Sequence, residues 1–230
     1  MSHRKCLDYR LGAVLGAGLI LAAGLEWLPY SPTETLGFVT GAACVYLVVR
    51  QNIWNFPLGI ANNVFFLILF VEARLYGDAG LQIVYILLGI QGWYWWLHGG
   101  ANRTALQVNR ARPRTLLWLA GLVALGTAGL MLALQAARGS APFLDAFTTV
   151  LSLAAQYLLN RKAIENWYLW IAADVLYIAL YLARDLHLTA LLYFIFLCLC
   201  LAGLWRWRQA LGRQSRIQSD TAAATQAAHG

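Results

Sequence analysis

The sequence predicts an all-α integral membrane protein with eight transmembrane helices. The chain is 60% apolar and only 12% charged, whereas a soluble domain is about 45–50% apolar and about 25% charged. Its eight long apolar runs are separated by short segments that hold most of the Lys and Arg residues. The net charge of +7 therefore indicates how the chain is oriented in the membrane, because Lys and Arg residues are enriched in cytoplasmic loops. We expect a lipid bilayer around the chain and no nucleic acid as a partner.

Each apolar run is close to the roughly 20 residues that a helix needs to cross a hydrocarbon core of about 30 Å. Pro, Gly and Asp residues punctuate the breaks between the runs. The predicted spans are 11–28, 34–50, 54–73, 79–98, 115–136, 143–160, 166–183 and 188–207.

The two ends of the chain lie outside the main pattern. The first run ends in Glu26-Trp27-Leu28-Pro29, not in the small residues of a signal-peptide cleavage site, so we expect it to remain as an extra helix. Residues 209–230 are polar and Ala-rich and have no periodic apolar face. They predict a disordered cytoplasmic tail.

The basic residues predict the orientation of the spans. With a cytoplasmic N-terminus, fourteen of the seventeen fall on the cytoplasmic side, namely Arg4, Lys5, Arg10, Arg50, Arg103, Arg110, Arg112, Arg114, Arg161, Lys162, Arg206, Arg208, Arg213 and Arg216. The other three are Arg74, Arg138 and Arg184. Because cytoplasmic loops of membrane proteins are enriched in Lys and Arg, we expect both termini to be cytoplasmic.

An internal repeat divides most of the chain into two similar halves. A shift of 111 residues aligns 34–96 with 145–207 without a gap, and the identities include the polar pair Asn55/Asn166 and the pair Trp96/Trp207. Each half holds three spans, and the span at 115–136 returns the chain to its starting side. The repeats are therefore expected to be parallel, an arrangement typical of transporters with a substrate site between the repeats near the midplane.

The predicted organisation has five parts. They are a tail and extra helix at 1–33, a first triple-helix repeat at 34–98, a basic loop and linker helix at 99–142, a second triple-helix repeat at 143–208 and the tail at 209–230.

Asp174 is the residue that points most directly to a site. It lies about 13 Å into its span at 1.5 Å per residue, close to the centre of the bilayer. An ionisable group at that depth is costly unless it faces a cavity or a partner, although a hydrogen bond to a neighbouring helix is an alternative role. The repeat pairs Asp174 with Asn63, which follows Asn62. A polar side chain at the same depth in both repeats favours a central site.

Aromatic and amide residues follow the same helix face as Asp174. Asn166, Trp170, Tyr177 and Tyr181 fall on its stripe at helical spacing. Aromatic faces beside a carboxylate suit a planar or cationic ligand. An interfacial aromatic belt is the alternative, above all for Trp167 near the helix end.

Polar residues on other spans complete the candidate site. They are Gln82, Tyr85 and Gln91 on the fourth span and Gln156 on the sixth. Such groups either bridge helices or contact ligand hydroxyl and amide groups.

Several chemistries find no support in the sequence. The four His residues lie at segment ends or in tails, and the four Cys residues form no CxxC pair. No nucleotide-binding or hydrolase motif is present. We therefore expect no catalytic residue, no metal and no cofactor.

The residues also resemble a known family, the bacterial nicotinamide riboside transporters of the PnuC family. The resemblance covers about residues 34–208. Its motifs are Trp54-Asn55-Phe56-Pro57-Leu58-Gly59 with Asn62, Leu75-Tyr76-Gly77-Asp78 with Gln82, Gln91-Gly92-Trp93-Tyr94-Trp95-Trp96, and Arg161-Lys162-Ala163-Ile164-Glu165-Asn166-Trp167 with Trp170 and Asp174.

The resemblance implies a fold similar to SWEET transporters, a multi-pass protein of the bacterial inner membrane and a homotrimer. It also implies facilitated uptake of nicotinamide riboside for NAD biosynthesis, with retention by intracellular phosphorylation. The alternatives are transport of a related vitamin, such as thiamine or riboflavin, and a role as a non-transporting membrane sensor.

Overall fold

The computed structural model describes residues 32–136, 142–185 and 187–227. Within these ranges the chain forms seven α-helices, joined by turns and by one longer loop. The helices are α1 Pro32–Val49, α2 Asn55–Glu72, α3 Tyr76–His98, α4 Pro113–Ala136, α5 Pro142–Asn160, α6 Asn166–Leu182 and α7 His187–Ala227.

The described part of the chain is all-helical and is built to cross a membrane several times. Four helices are long and apolar enough to span it, and two shorter helices are also apolar. The bounds agree with the predicted spans within about three residues, apart from the end of α7. The predicted first span at 11–28 lies outside the described residues.

The sequence predicts a disordered tail at 209–230, whereas α7 continues to Ala227 in the described residues. The reason is composition, since Ala, Gln and Arg are strong helix formers, and they continue a helix that α7 has already nucleated. One tertiary contact also holds the extension, because the Gln214 side chain donates to Gln107 Oε1 at 3.1 Å.

The helices pack in two sets of three with matching contacts. In the first set α1 contacts α2 and α2 contacts α3, and in the second α5 contacts α6 and α6 contacts α7. Two further contacts, α1 with α7 and α3 with α5, join the sets. The helix α4 packs against α5. A central space is thereby enclosed by helices of both sets.

The turns that open α2 and α6 are alike in detail. Gln51 and Lys162, which are 111 positions apart, both adopt left-handed φ values of 53° and 50°. The buried side chains of Asn55 and Asn166 each donate to a backbone carbonyl oxygen three residues earlier, at 2.8 and 2.6 Å. These bonds anchor the first turn of each helix within the protein.

The core of the described bundle lies at the helix ends beside these turns. It contains Phe56, Trp96, Trp167 and Trp207, each at most 3% exposed. Phe56 meets Trp96 edge-on at 5.0 Å between ring centroids, and Trp167 meets Trp207 edge-on at 5.4 Å. This aromatic layer closes one end of the central space.

The loop between α3 and α4 crosses the same end of the bundle. Leu106 N donates to Trp96 O at 3.0 Å, and Asn109 forms an isolated parallel β-bridge with Ala163. Glu165 Oε2 accepts the backbone N–H of Ala111 at 2.9 Å. The loop therefore ties the end of α3 to the turn between α5 and α6.

Candidate functional site

A cavity of about 390 Å³ lies between the two sets of helices. Its lining comes from α1, α2 and α3 of the first set and α5, α6 and α7 of the second. A volume of this size falls in the range of about 300–1,000 Å³ that is common for small-molecule sites. Seven of the predicted site residues line it, namely Asn63, Tyr85, Gln156, Trp167, Trp170, Asp174 and Tyr177.

Asp174 is the one acidic side chain in the described lining of the cavity. It is 6% exposed, and its carboxyl group is hydrogen-bonded to the Cys200 thiol of α7. The second carboxyl oxygen, Oδ2, is buried and has no hydrogen-bond partner among the described residues. A buried polar atom without a partner costs about 1–3 kcal/mol. Asp174 therefore offers an acceptor to a ligand in the cavity.

A buried donor lies in the same wall as this acceptor. Trp167 is 1% exposed and lines the cavity, and its indole N–H has no hydrogen-bond partner in the described structure. Asn166 next to it has an unpartnered buried Oδ1 as well, although it does not line the cavity. One unpartnered donor and one unpartnered acceptor favour a ligand that carries both kinds of polar group.

Aromatic side chains form the wall of the cavity on the side of α6 and α7. Trp170 and Tyr177 line it together with Tyr193. The Tyr177 and Tyr193 rings lie 4.6 Å apart, and Tyr181 stacks on both at 6.1 and 5.3 Å. The predicted stripe on α6 is thus found in the structure, but its far end, Tyr181, packs on other tyrosines outside the cavity lining. Aromatic rings beside a carboxylate suit a cationic planar ligand.

A hydrogen bond crosses from the first set of helices to the second beside the cavity. The hydroxyl oxygens of Tyr85 on α3 and Ser152 on α5 lie 2.6 Å apart, and both residues line the cavity. Asn63 on α2 also lines it, as the repeat predicts for the position that matches Asp174. The first set therefore contributes polar groups that are neutral.

Gln156 belongs to a network that holds α5 against α3. Its amide donates to Asn160 Oδ1 at 3.0 Å, and Asn160 Nδ2 donates to Leu88 O at 2.7 Å. Asn160 is fully buried. Asn160 was not predicted from the sequence, although its position four residues after Gln156 is a pattern that indicates a paired amide on one helix face.

Four predicted site residues do not line the cavity: Asn62, Gln82, Gln91 and Asn166. The Asn62 amide instead contacts the Thr40 hydroxyl of α1 and so bridges two helices. Gln91 is exposed, because it follows Tyr85 by six positions and turns about 120° away at 3.6 residues per turn. Asn166 anchors the start of α6, as described above.

Several lining residues were not predicted from the sequence. Cys44, Phe56, Tyr193, Phe196 and Cys200 are apolar or aromatic residues in apolar helices, so no polar signal marks them. No group of three or more His, Cys, Asp or Glu side chains is placed to hold a metal within the described ranges. The cavity instead presents one carboxylate, several neutral polar groups and aromatic faces.

These features define the class of protein. A multi-pass membrane bundle with a cavity between two matched sets of helices is the architecture of a small-molecule transporter. The chain belongs to the nicotinamide mononucleotide transporter family, whose model matches residues 31–209. The family consists of transporters, so the protein is not an enzyme.

Similar proteins carry related names. The "Nicotinamide riboside transporter PnuC" of Escherichia coli K12 is 29% identical over 89% of this chain and 94% of its own length. The same name belongs to a Haemophilus influenzae relative, which is 28% identical over 80% of this chain and 83% of its own. The "Riboflavin/roseoflavin transporter RibM" of Streptomyces davaonensis is 26% identical over 80% and 88%.

A solved structure shares the fold. The crystal structure of the vitamin B3 transporter PnuC matches with a TM-score of 0.64 and 24% identity, covering 88% of this chain and 92% of that one.

Proposed function

We propose that the protein transports nicotinamide riboside into the cell by facilitated diffusion, and that intracellular phosphorylation retains the substrate. The observation that carries this proposal is the cavity, in which the buried Asp174 has an unpartnered oxygen beside aromatic faces. The names of the relatives, most of which are nicotinamide riboside transporters, agree with it.

The chemistry of the riboside matches the lining group by group. Its cationic pyridinium ring suits the carboxylate of Asp174 and the faces of Trp170 and Tyr177. Its carboxamide both donates and accepts, as the unpartnered atoms of Trp167 and Asp174 require. Its ribose hydroxyls suit the neutral groups of Tyr85 and Asn63. Each lining residue named here is proposed as a substrate contact.

The transport mechanism is proposed to be passive. The described lining offers a single acid and therefore no pair of carboxylates for coupling to a cation gradient. The direction of net uptake then depends on phosphorylation inside the cell. Accumulation of unmodified riboside above its external concentration, driven by a proton or sodium gradient, would contradict this mechanism.

The finer architecture is also a proposal. We propose eight transmembrane helices, with the span at 11–28 preceding two parallel repeats in a SWEET-like order of three, one and three. The matched helix contacts and the matched turns at Gln51 and Lys162 support the repeats. Gly92 and Gly203, also 111 residues apart, lie against Phe56 and Trp167.

The orientation is proposed to place both termini in the cytoplasm of a bacterial inner membrane. Support comes from the charge distribution. The loop at 103–114 packs against the turn at 161–165, and the basic residues of both segments are predicted to lie on the cytoplasmic side. A cysteine at Ala105, which is exposed, should stay unlabelled by an impermeant thiol reagent in intact cells. A cysteine at Tyr76, at the opposite end of α3, should be labelled above the background of the native chain.

A homotrimer is proposed from the family resemblance. The helix α4 leaves a broad apolar face, with Leu117, Trp118 and Leu125 each more than 70% exposed, and such a face meets either lipid or another subunit in a bilayer. Native mass spectrometry of the protein in mild detergent tests the stoichiometry.

Uptake by reconstituted liposomes tests the function. Nicotinamide riboside inside the vesicles should equilibrate with the outside concentration and not exceed it. Thiamine and riboflavin serve as competing substrates, and empty liposomes serve as the control. Absence of flux with all three would indicate a non-transporting role.

Riboflavin transport is the second candidate, because the RibM relative carries that name. The names of the two PnuC relatives favour nicotinamide riboside as the first candidate. A higher rate of uptake for riboflavin than for nicotinamide riboside would reverse this assignment.

A further inference from the structure

A second concave site lies outside the cavity, where α1 ends. This groove has a volume of about 340 Å³ and joins the end of α1 to the part of α7 that follows its most apolar run. Its polar lining consists of Arg50, Gln51, Arg206, Gln209 and Arg213, with Trp205 at one edge.

The charge of the groove is of one sign. Three of the described lining residues are arginines and none is an Asp or Glu. Guanidinium groups that share a concave surface repel one another unless an anion lies between them. Their planar forks match the oxygens of a phosphate group, which can accept two parallel hydrogen bonds from one arginine. The side-chain amides of Gln51 and Gln209 add neutral donors.

The arginines are not needed to cap the end of α1. The carbonyl oxygens of Tyr46, Leu47 and Val48 already accept backbone N–H groups from the turn that follows, and Val48 O also accepts the indole N–H of Trp207. Arg213 Nε contacts a carbonyl of its own helix, Gln209 O, at 3.4 Å, which occupies one of its five donors. Among the described residues, the other donors of Arg213 make no hydrogen bond, so they are available to a ligand.

The matching place in the other half of the molecule is filled by the chain itself. There Arg161 and Lys162 take the positions of Arg50 and Gln51, 111 residues later. Lys162 Nζ donates to Leu106 O at 2.8 Å, and Asn109 Nδ2 donates to Arg161 O at 2.7 Å. The loop between α3 and α4 thus brings a carbonyl oxygen to the Lys162 amine and an amide donor to the backbone oxygen of Arg161. In the described lining of the arginine groove, only α1, its following turn and α7 take part.

We propose that this arginine groove binds a phosphate group, supplied by an anionic lipid headgroup at the membrane surface or by a soluble phosphate. The indole of Trp205 at its edge is 61% exposed, and exposed Trp side chains of membrane proteins collect at the level of the headgroups. Basic residues at that level attract anionic lipids. The site is separate from the cavity and does not depend on which vitamin is transported.

Lipid binding to the full chain, measured by native mass spectrometry in neutral detergent, tests the proposal. The probes are phosphatidylglycerol, phosphatidylcholine and inorganic phosphate, the last compared with chloride at equal ionic strength. The test variant combines Arg206→Gln with Arg213→Gln. The matched control combines Arg112→Gln with Arg216→Gln, which removes the same charge from two exposed positions outside the groove.

We expect phosphatidylglycerol to bind the native chain at least about tenfold more tightly than phosphatidylcholine, and the test variant to lose that preference while the control keeps it. A variant with Arg206→Lys and Arg213→Lys should bind at an intermediate level, because it keeps the charge without the forks. If the glutamine variant does not fold, the lysine variant still tests the proposal.

The source of the phosphate follows from the third probe. Binding of inorganic phosphate that the test variant loses assigns the groove to a soluble phosphate, whereas binding of phosphatidylglycerol alone assigns it to the membrane. If the test and control variants lost phosphatidylglycerol binding equally, the binding would depend only on the overall charge of the protein, and the proposal would be overturned. Absence of binding for both anionic probes would also overturn it.

Discussion

Trp96 and Trp207, whose ring centroids lie 6.2 Å apart, make the same hydrogen bond in opposite directions between the two sets of helices. Trp96 Nε1 donates to Leu159 O at 3.1 Å, and Trp207 Nε1 donates to Val48 O at 3.2 Å. Leu159 follows Val48 by the same 111 positions that separate the two tryptophans. The acceptors are carbonyl oxygens in the last turns of α5 and α1, where intrahelical partners run out. These two hydrogen bonds therefore join the two sets of helices at the end of the central space that the aromatic layer closes.

Trp207→Phe should lower the free energy of unfolding by about 1–3 kcal/mol, because it keeps a ring in the core but removes one hydrogen bond and part of the indole packing. Trp118→Phe is the control, since Trp118 is 82% exposed on α4 and should change stability by less than about 0.5 kcal/mol. Thermal unfolding in detergent measures both. Equal shifts for the two variants would show that the reciprocal bond adds nothing.

Gly203→Ala should be destabilising, because a Cβ at this position would overlap the Trp167 ring. Overpacking of a well-packed core costs about 1–3 kcal/mol. Gly121→Ala on α4 is the control, since a Cβ there meets no atom within 4 Å and Ala favours a helix over Gly. The melting temperature should fall for the first variant and stay or rise for the second. A rise for both would mean that the close approach of α6 and α7 is not required.

The hydrogen bond between Tyr85 and Ser152 should couple the two residues in substrate binding. Tyr85→Phe and Ser152→Ala each remove the bond, so the double variant should lose less affinity than the sum of the single losses. A coupling of about 0.5–1.5 kcal/mol is expected for a neutral pair. Calorimetry of riboside binding to the four proteins measures the cycle. Additive losses would show instead that each hydroxyl contacts the ligand independently.

The sequence predicts the helices and the polar centre of the cavity well, because both depend on local patterns. Apolar length defines the spans, and helical spacing places Trp170, Asp174 and Tyr177 on one face. The repeat then pairs Asp174 with Asn63, and both line the cavity. It is harder to predict which of two neighbouring polar residues faces the cavity. Asn62 lies one residue, or about 100°, away from Asn63, which is enough to turn it toward Thr40 on α1.

The contribution of α7 could not be predicted. Tyr193 and Cys200 line the cavity only because α7 packs against α6, and the side of α7 that meets α6 depends on the tertiary packing. The helix is apolar on all sides over its membrane-spanning part, so no periodic pattern marks the face that points inward.

Lys162 should make the stability of the protein depend on pH above neutrality. It lies in the turn between α5 and α6, where burial lowers the pKa of its amine from 10.5 to about 8. Between these two values the unfolded chain binds the proton and the folded chain does not, so stability should rise as the pH increases from about 8 to 10. Lys162→Met should remove this increase. The difference in melting temperature between the native chain and the variant, followed over this pH range, isolates Lys162 from the tyrosines that also titrate. A difference that does not change with pH would place the amine in contact with solvent.

Asp174→Asn should weaken the binding of the cationic riboside while leaving the protein folded, because the amide keeps the shape of the carboxyl group and removes its charge. The charge is favourable for a cation in a buried cavity, where the dielectric is low and the attraction is stronger than in water. Reduced nicotinamide riboside has nearly the same shape but no positive charge on its ring. The substitution should therefore reduce the affinity for the reduced riboside much less, and calorimetry of purified protein with the two ligands measures the difference.

Asn63→Ala is the control, because it removes a neutral polar group at the matching position of the other repeat and should affect both ligands to a similar extent. An equal loss for the two ligands in Asp174→Asn would assign the carboxyl group to the structure, through its hydrogen bond with Cys200, and not to the charge of the substrate.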